Sequence, residues 1–239
     1  MAIDFHYVGE ELDLFAAATN WKGYFRRRIE PYLGAEVLEV GAGFGGTTRT
    51  LCRREHDRWA CLEPDPALAA RLADSIRDGD LPRCCEPIVG TLETLDPART
   101  FDTLLYIDVM EHIEDDRAEM ARAAARLKPG GYVVVLSPAH PFLFTPFDEA
   151  LGHFRRYTRS TLARLSVDGL EPARIEYLDS VGMLASLGNR LVLNASMPRP
   201  SQVAAWDKLM VPLSKVVDPL TGHRLGKSIL GVWRRPLAG

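Results

Sequence analysis

Apolar positions along this chain follow two rhythms, short unbroken runs and stripes three or four residues apart, and the two alternate over most of its length. Residues 8 to 30 carry two stripes, with Leu12, Phe15 and Ala16 on one and Trp21, Tyr24, Phe25 and Arg28 on the other. They predict one or two amphipathic helices ending at Pro31. Glu36 to Val40, Arg58 to Glu63, Cys84 to Val89 and Phe101 to Asp108 read as strands, and YVVVLSP (Tyr132 to Pro138) as a fifth, buried on both faces. Helical series lie between them. Thr47 and Thr48 open one; Leu68, Leu72 and Ile76 follow Asp65 as N-cap and Pro66 as first helical residue. Met120, Ala123, Ala124 and Leu127 follow Asp115 and Asp116, and Lys128 to Gly131 terminates that helix. Thr158 to Leu170 predicts a further helix and Arg174 to Leu178 a sixth strand. Strand and helix alternating in this way predict one α/β domain around a mostly parallel sheet.

Composition narrows the function classes. A net charge of −3 and a pI near 6.1 exclude a general nucleic-acid grip, and the runs Arg26 to Arg28 and Arg155 to Arg156 are local. The opening MAIDFHYVGEELD does not read as a secretory signal, and Val181 to Leu193, interrupted by Asn189 and Arg190, is too short to span a bilayer. Cys52, Cys61, Cys84 and Cys85 lack C-x-x-C spacing, so reduced thiols in a cytoplasmic protein are expected, without zinc.

The chemistry concentrates after the first strand, in a loop holding Gly41, Gly43, Gly45 and Gly46. Backbone that bare permits close approach of a ligand. Gly41, Gly43 and Gly46 satisfy G-x-G-x-x-G and Glu63 stands near the distance of a ribose-binding acid, so an NAD-dependent oxidoreductase is one reading. Glu39 opposes it, because a carboxylate at the strand end would repel a pyrophosphate and attract a ligand bearing an ammonium and a sulfonium. With that acid the loop, E-x-G-x-G-x-G, resembles the first motif of class I S-adenosylmethionine (SAM)-dependent methyltransferases. DVMEHIEDD resembles the fourth motif, and LKPGGYVVVLSP the segment before and within the fifth strand. The resemblance covers about Tyr24 to Pro138. Through GHFRRYT and GKSILGVWRRP the whole chain is similar to bacterial methyltransferases of undefined substrate.

That resemblance implies a Rossmann-like fold of seven mostly parallel strands flanked by helices, its last strand at Ser228 to Trp233 and a helical insertion, 179–227, before it. It implies SAM as cofactor and S-adenosylhomocysteine as product, with Tyr24, Glu39, Gly41, Gly43, Glu63, Pro64, Thr91, Leu92, Asp108 and Val109 as the binding residues. Many relatives carry an Asp where this chain has Gly90 and Thr91. Residues 1–34 would form a helical lid in which Trp21 meets substrate, 35–138 the cofactor core and 139–157 an active-site loop. His112, His140 and His153 are the candidate bases for a hydroxyl acceptor, and Arg155, Arg156 and Tyr157 the candidate acceptor contacts. A metal held by His140, Asp148 and His153 is not expected, since no ligand spacing is present. The insertion, with Met183, Leu184, Leu187 and Leu191 on one stripe and Trp206, Leu209, Met210 and Leu213 on another, reads as a cap, a dimer contact or a peripheral membrane contact. The expected reaction is methylation, most readily of oxygen, on a small-molecule or lipid-linked-sugar acceptor. A SAM-binding scaffold without transfer activity is the third reading.

Overall fold

In the computed structural model, which describes residues 15–52, 56–192 and 199–237 with the side chains of 189–192 excepted, seven strands form one sheet in the order β3-β2-β1-β4-β5-β7-β6. They are β1 (Glu36–Val40), β2 (Arg58–Glu63), β3 (Cys85–Val89), β4 (Phe101–Ile107), β5 (Leu127–Pro138), β6 (Glu171–Leu178) and β7 (Ser228–Arg234). Strands β1 to β5 pair in parallel, and β7 runs antiparallel to both its neighbours, β5 and β6. Leu12, the side chain of Leu191 and residues 1–14 of the expected lid lie outside the described residues.

Successive side chains of a strand point to opposite faces, and here both faces are apolar. Val37, Trp59, Leu105 and Val134 pack on one side against Trp21, Tyr24, Phe25 and Ile29 of α1 (Thr19–Ile29). On the other side, Leu38, Leu104, Tyr106 and Val135 pack against Met120 and Ala123 of α4 (Asp116–Arg126). Between these helices in the chain come α2 (Thr48–Leu51) and α3 (Pro66–Arg77); Asp65 caps α3 by accepting from the Ala67 and Leu68 amides, as its position predicted. Helices α5 (Pro146–Ala150) and α6 (Arg159–Ala163) follow β5.

Three element boundaries differ from expectation by more than one residue. β5 begins at Leu127 because Leu127 pairs with Phe101 of β4 while Gly130 and Gly131 exchange backbone hydrogen bonds with Arg235, which draws the predicted helix terminator into the sheet. β6 begins at Glu171 because its partner β7 extends to Arg234. The helix predicted over Thr158 to Leu170 shortens to α6, where turns through Leu165, Ser166 and a left-handed Gly169 replace the rest.

The insertion before β7 folds as α7 (Ser180–Val192), α8 (Pro200–Ala205), one π-helical turn (Trp206–Met210) and α9 (Val211–Leu220). Three buried aspartates organise it, and two of them, Asp207 and Asp218, tie it to the rest. The first-turn amides of a helix have no intrahelical acceptor, and Ala18, at the N-cap of α1, offers none. Asp207 supplies it, accepting from the Trp21 amide at 2.8 Å and the Asn20 amide at 3.2 Å. Asp218 does the same for α7, accepting from the amides of Asp179 (2.7 Å) and Ser180 (3.0 Å), and it also accepts a hydrogen bond from the Tyr24 hydroxyl at 2.7 Å. Asp179 accepts from the Trp206 indole and the Ser214 hydroxyl, each at 2.6 Å. Among the described residues, no helix is long and apolar enough to cross a membrane.

Candidate active site

Where the sheet order reverses, between β1 and β4, the strands' carboxyl ends open on a cavity of about 1260 Å³. Pockets for one small ligand occupy roughly 300–1,000 Å³, so this one has room for two. Its floor is the glycine loop. Gly41 and Gly43 hold left-handed backbone (φ 68° and 57°), and a Cβ added at Gly41 would sit 2.6 Å from the Val109 side chain. Glu63, buried at the end of β2, accepts from the Gly43 amide at 2.8 Å and the Asp65 amide at 2.9 Å. Burial raises its carboxyl, while those two donors draw it back. Each carboxylate oxygen can accept more than one bond, so Glu63 retains acceptor capacity toward the cavity it lines. Pro64, Thr91, Leu92, Asp108, Val109 and Trp21 stand on the same wall.

Glu39 does not. Its side chain shares a sheet face with Val37, turned toward α1, where one carboxylate oxygen accepts from the Thr48 hydroxyl and the Trp59 indole, both at 2.7 Å. It is a strut beneath the glycine loop, joining the helix after the loop to β2. Burial pushes its carboxyl up to about 7, against the pull of Thr48 and Trp59. A carboxyl raised in the fold contributes stability below its unfolded value, near 4.5, and loses it as pH rises through 7. The Glu39→Gln variant is therefore expected to flatten the pH dependence of unfolding free energy between these limits by about 3 kcal/mol. Urea titrations at a series of pH values measure this, and parallel curves for the two proteins would refute it.

The far end of the cavity gathers ionisable groups. Asp108 leaves β4 in left-handed backbone (φ 54°), its side chain open to the cavity and its carboxyl raised by the surrounding protein. Glu111 is fully buried, bonded by the Ser137 hydroxyl at 2.9 Å through one oxygen, while the other has no partner; burial and then Asp108 hold it well above the carboxylate range. The rings of His112 and His153 meet edge to face at 4.6 Å. Burial, then the neighbouring His153, pushes His112 down to about 4. His153 Nδ1 lies 3.0 Å from Asp148, the buried hub of the 139–157 loop. Asp148 also accepts from Arg156 through two nitrogens (2.7 and 2.9 Å) and from the amide and hydroxyl of Thr145 (2.8 Å each). These bonds hold its carboxyl well below the usual range despite burial.

Four other residues expected at the site stand away from its wall. Tyr24 is buried under the insertion with its hydroxyl on Asp218. His140 stacks on Tyr177 at 4.6 Å, facing β6. Arg155 turns outward to Asp116 and the Glu114 carbonyl. Tyr157 is buried, its hydroxyl donating to Asp116 at 2.8 Å. These last two anchor the loop from behind, while Arg156 and His153 face the cavity.

Lys227 had no place in the sequence reading. It precedes the strand that runs antiparallel, so it arrives at the same carboxyl edge, with its ammonium 3.5 Å over the Trp206 ring and 3.7 Å from Asp179, and it lines the cavity. The only signal was a lone cation immediately before an apolar run. Glu111, His112 and His153 each bring a metal-ligating atom within 4.8 Å of one another, as do Cys52, Cys84 and Cys85, so among the described residues two groups could hold a cation. Neither is the His140, Asp148 and His153 set weighed from the sequence.

Comparison with known proteins places this geometry. A family profile described as "Methyltransferase domain" matches residues 12–167. The demethylmenaquinone methyltransferase of Tropheryma whipplei (strain Twist) is 29% identical over 175 residues, 69% of this chain and 65% of that protein. The ubiquinone biosynthesis O-methyltransferase of Paramagnetospirillum magneticum is 34% identical over 106 residues, 43% of this chain and 40% of that one. The chain thus spans less than two thirds of the length of these relatives. In fold it is similar to the [4+2]-cyclase SpnF (TM-score 0.62, 17% identity, 97% and 96% of the two chains). It is also similar to the N-methyltransferase NodS of Bradyrhizobium japonicum bound to S-adenosylhomocysteine (TM-score 0.57, 15% identity, 92% and 88%).

Proposed function

This chain belongs to the class I SAM-dependent methyltransferase family, and on that premise we propose that it moves the methyl group of SAM to a hydroxyl of a small apolar or lipid-linked acceptor in the cytoplasm. One observation carries the reading: a single cavity joins the glycine floor and Glu63 to the cluster of His112, His153 and Asp148. Its residues fit the cofactor, since bare main chain at Gly41 and Gly43 admits close approach and Glu63 keeps acceptor capacity for ribose hydroxyls. When bound, SAM supplies an electrophilic methyl group on a sulfonium.

The protein's own contribution is placement and proton transfer. Asp148 fixes His153 through Nδ1, which leaves Nε2 as the atom that takes the acceptor's hydroxyl proton. His112, neutral at pH 7, adds no opposing charge when His153 becomes cationic. Phe15, Phe25, Ile113, Phe147 and Met210 give the cavity apolar walls that exclude water. Those walls suit a quinone-type ring, and the names of both relatives above mention a quinone, one as acceptor and one as the product of a biosynthesis.

Family membership, more than Glu39, sets the dinucleotide reading aside, because Glu39 is not on the wall. The volume beyond the floor argues for transfer over a silent scaffold, though the likeness to a cyclase shows that the fold alone does not fix the reaction. Calorimetry with SAM, S-adenosylhomocysteine and NADH tests the proposal. Binding of the first two without the third is expected, with at least about tenfold weaker SAM affinity in Gly41→Ala, whose added methyl strains the turn and meets Val109. NADH binding with no response to SAM would overturn it.

A further inference from the structure

The last part of the insertion is amphipathic in the reverse sense. Toward the protein, the turn 206–210 and α9 present Trp206, Asp207, Val211, Ser214 and Asp218, all buried and three of the five polar. Toward solvent they present Leu209, Leu213, Val216 and Leu220, which are 65%, 57%, 64% and 82% exposed. Spacings of four, three and four residues place these four on one stripe. A fully buried side chain of this kind contributes about 1.5–3 kcal/mol, which the isolated chain forgoes four times over on one short segment. A contiguous apolar stripe of this sort marks an interaction surface.

Charge selects the partner. Residues 179–227 contain six Lys or Arg and three Asp, within a chain of net charge −3. All three aspartates are buried as hydrogen-bond acceptors, so the surface of the insertion shows cations only. Lys208 and Lys215, seven residues apart, flank the stripe on one side, and Arg199 and Arg224 are exposed nearby in sequence. A second copy docking through the same face would set two basic rims against each other. An apolar stripe with a basic flank instead fits a bilayer bearing anionic headgroups, with leucines in the acyl boundary and lysines at the phosphates. We propose that the 206–220 segment docks this protein peripherally on an anionic membrane surface. Because Ala205, Trp206 and Met210 of the same region wall the cavity, docking brings its rim toward the lipid. Only that last consequence, delivery of a membrane-borne acceptor, rests on the proposed transfer reaction.

Flotation with phosphatidylcholine vesicles containing about three parts in ten phosphatidylglycerol, against vesicles of phosphatidylcholine alone, tests the docking. Binding to the anionic vesicles is expected, weakened in about 0.5 M salt. The triple variant Leu209→Ser, Leu213→Ser, Val216→Ser should lose at least about tenfold in partitioning. Lys208→Glu with Lys215→Glu should abolish the preference for anionic lipid. Both sets are at the surface, and unchanged thermal midpoints check that the variants fold. Absence of flotation would overturn the proposal. So would equal flotation of the triple variant, or a dimer in light scattering that this variant dissolves, since a second copy would then cover the stripe. Failure of flotation leaves methyl transfer to a soluble phenol intact, and failure of SAM binding leaves flotation intact, so the two readings fall separately.

Discussion

Asp148→Asn is expected to cost about 3–5 kcal/mol of folding stability, the range for breaking a buried ion pair from one side. The carboxylate accepts five bonds from four groups, and its loss strands the Arg156 guanidinium in a buried place with an amide turned toward it. Adding Arg156→Met removes the stranded charge and should recover part of the loss, because an apolar pair of similar volume often replaces a buried ion pair at little cost. The effect has a pH signature. A carboxyl held low in the fold contributes stability above its unfolded value, near 3.9, and loses it as pH falls toward the folded value. Wild type should therefore lose stability in acid through this group, and Asp148→Asn should lack that component. Urea unfolding of the three proteins measures the series, and a single-variant cost under about 1 kcal/mol would show that the hub is solvated.

The second large effect is on rate. Replacing His153 with Asn should lower kcat by about 10²- to 10⁴-fold while leaving SAM affinity within about twofold, as expected for removing a proton acceptor that does not hold the cofactor. Phenolic quinone precursors are the first acceptors to assay. His140→Asn is the control: its ring lies on Tyr177 and not on the cavity, so kcat should not change. A His153 variant keeping more than about a tenth of wild-type kcat would remove the ring from the proton path and leave the reaction to orientation alone.

Much of the fold was legible because its signals are local. The central parallel strands were apolar on both faces and ended in a turn signal, so β1 and β2 were placed to the residue, and the strand exits carrying Glu63 and Asp108 followed from the topology. Elements defined by their partners were not legible: β5 begins at Leu127 because Phe101 of β4 pairs there and Arg235 reaches Gly130 and Gly131. The site divided in the same way. Gly41, Gly43, Glu63 and Val109, expected from their motifs, line the cavity. Glu39 shows the limit, because a motif fixes the residue while the sheet face its side chain takes decides what it touches. In GHFRRYT the adjacent Arg155 and Arg156 look interchangeable, yet one turns outward to Asp116 and the other inward to Asp148. Lys227 and the three capping aspartates were hidden because their partners lie tens to nearly two hundred residues away.

Asp207 reaches the amides of Asn20 and Trp21 across 187 and 186 positions of chain. During synthesis, α1 thus waits for its acceptor until residue 207 has left the ribosome. The sheet strands β1 to β5 can pair before that. The wall that Trp21 and Phe25 give the cavity consolidates only when the insertion arrives. A nascent chain stalled before residue 207 is expected to show protected amides in the sheet and rapid exchange in α1, with the cavity still open on that side. Completion of the pocket is in this sense a late folding event, timed by the order in which the chain is made.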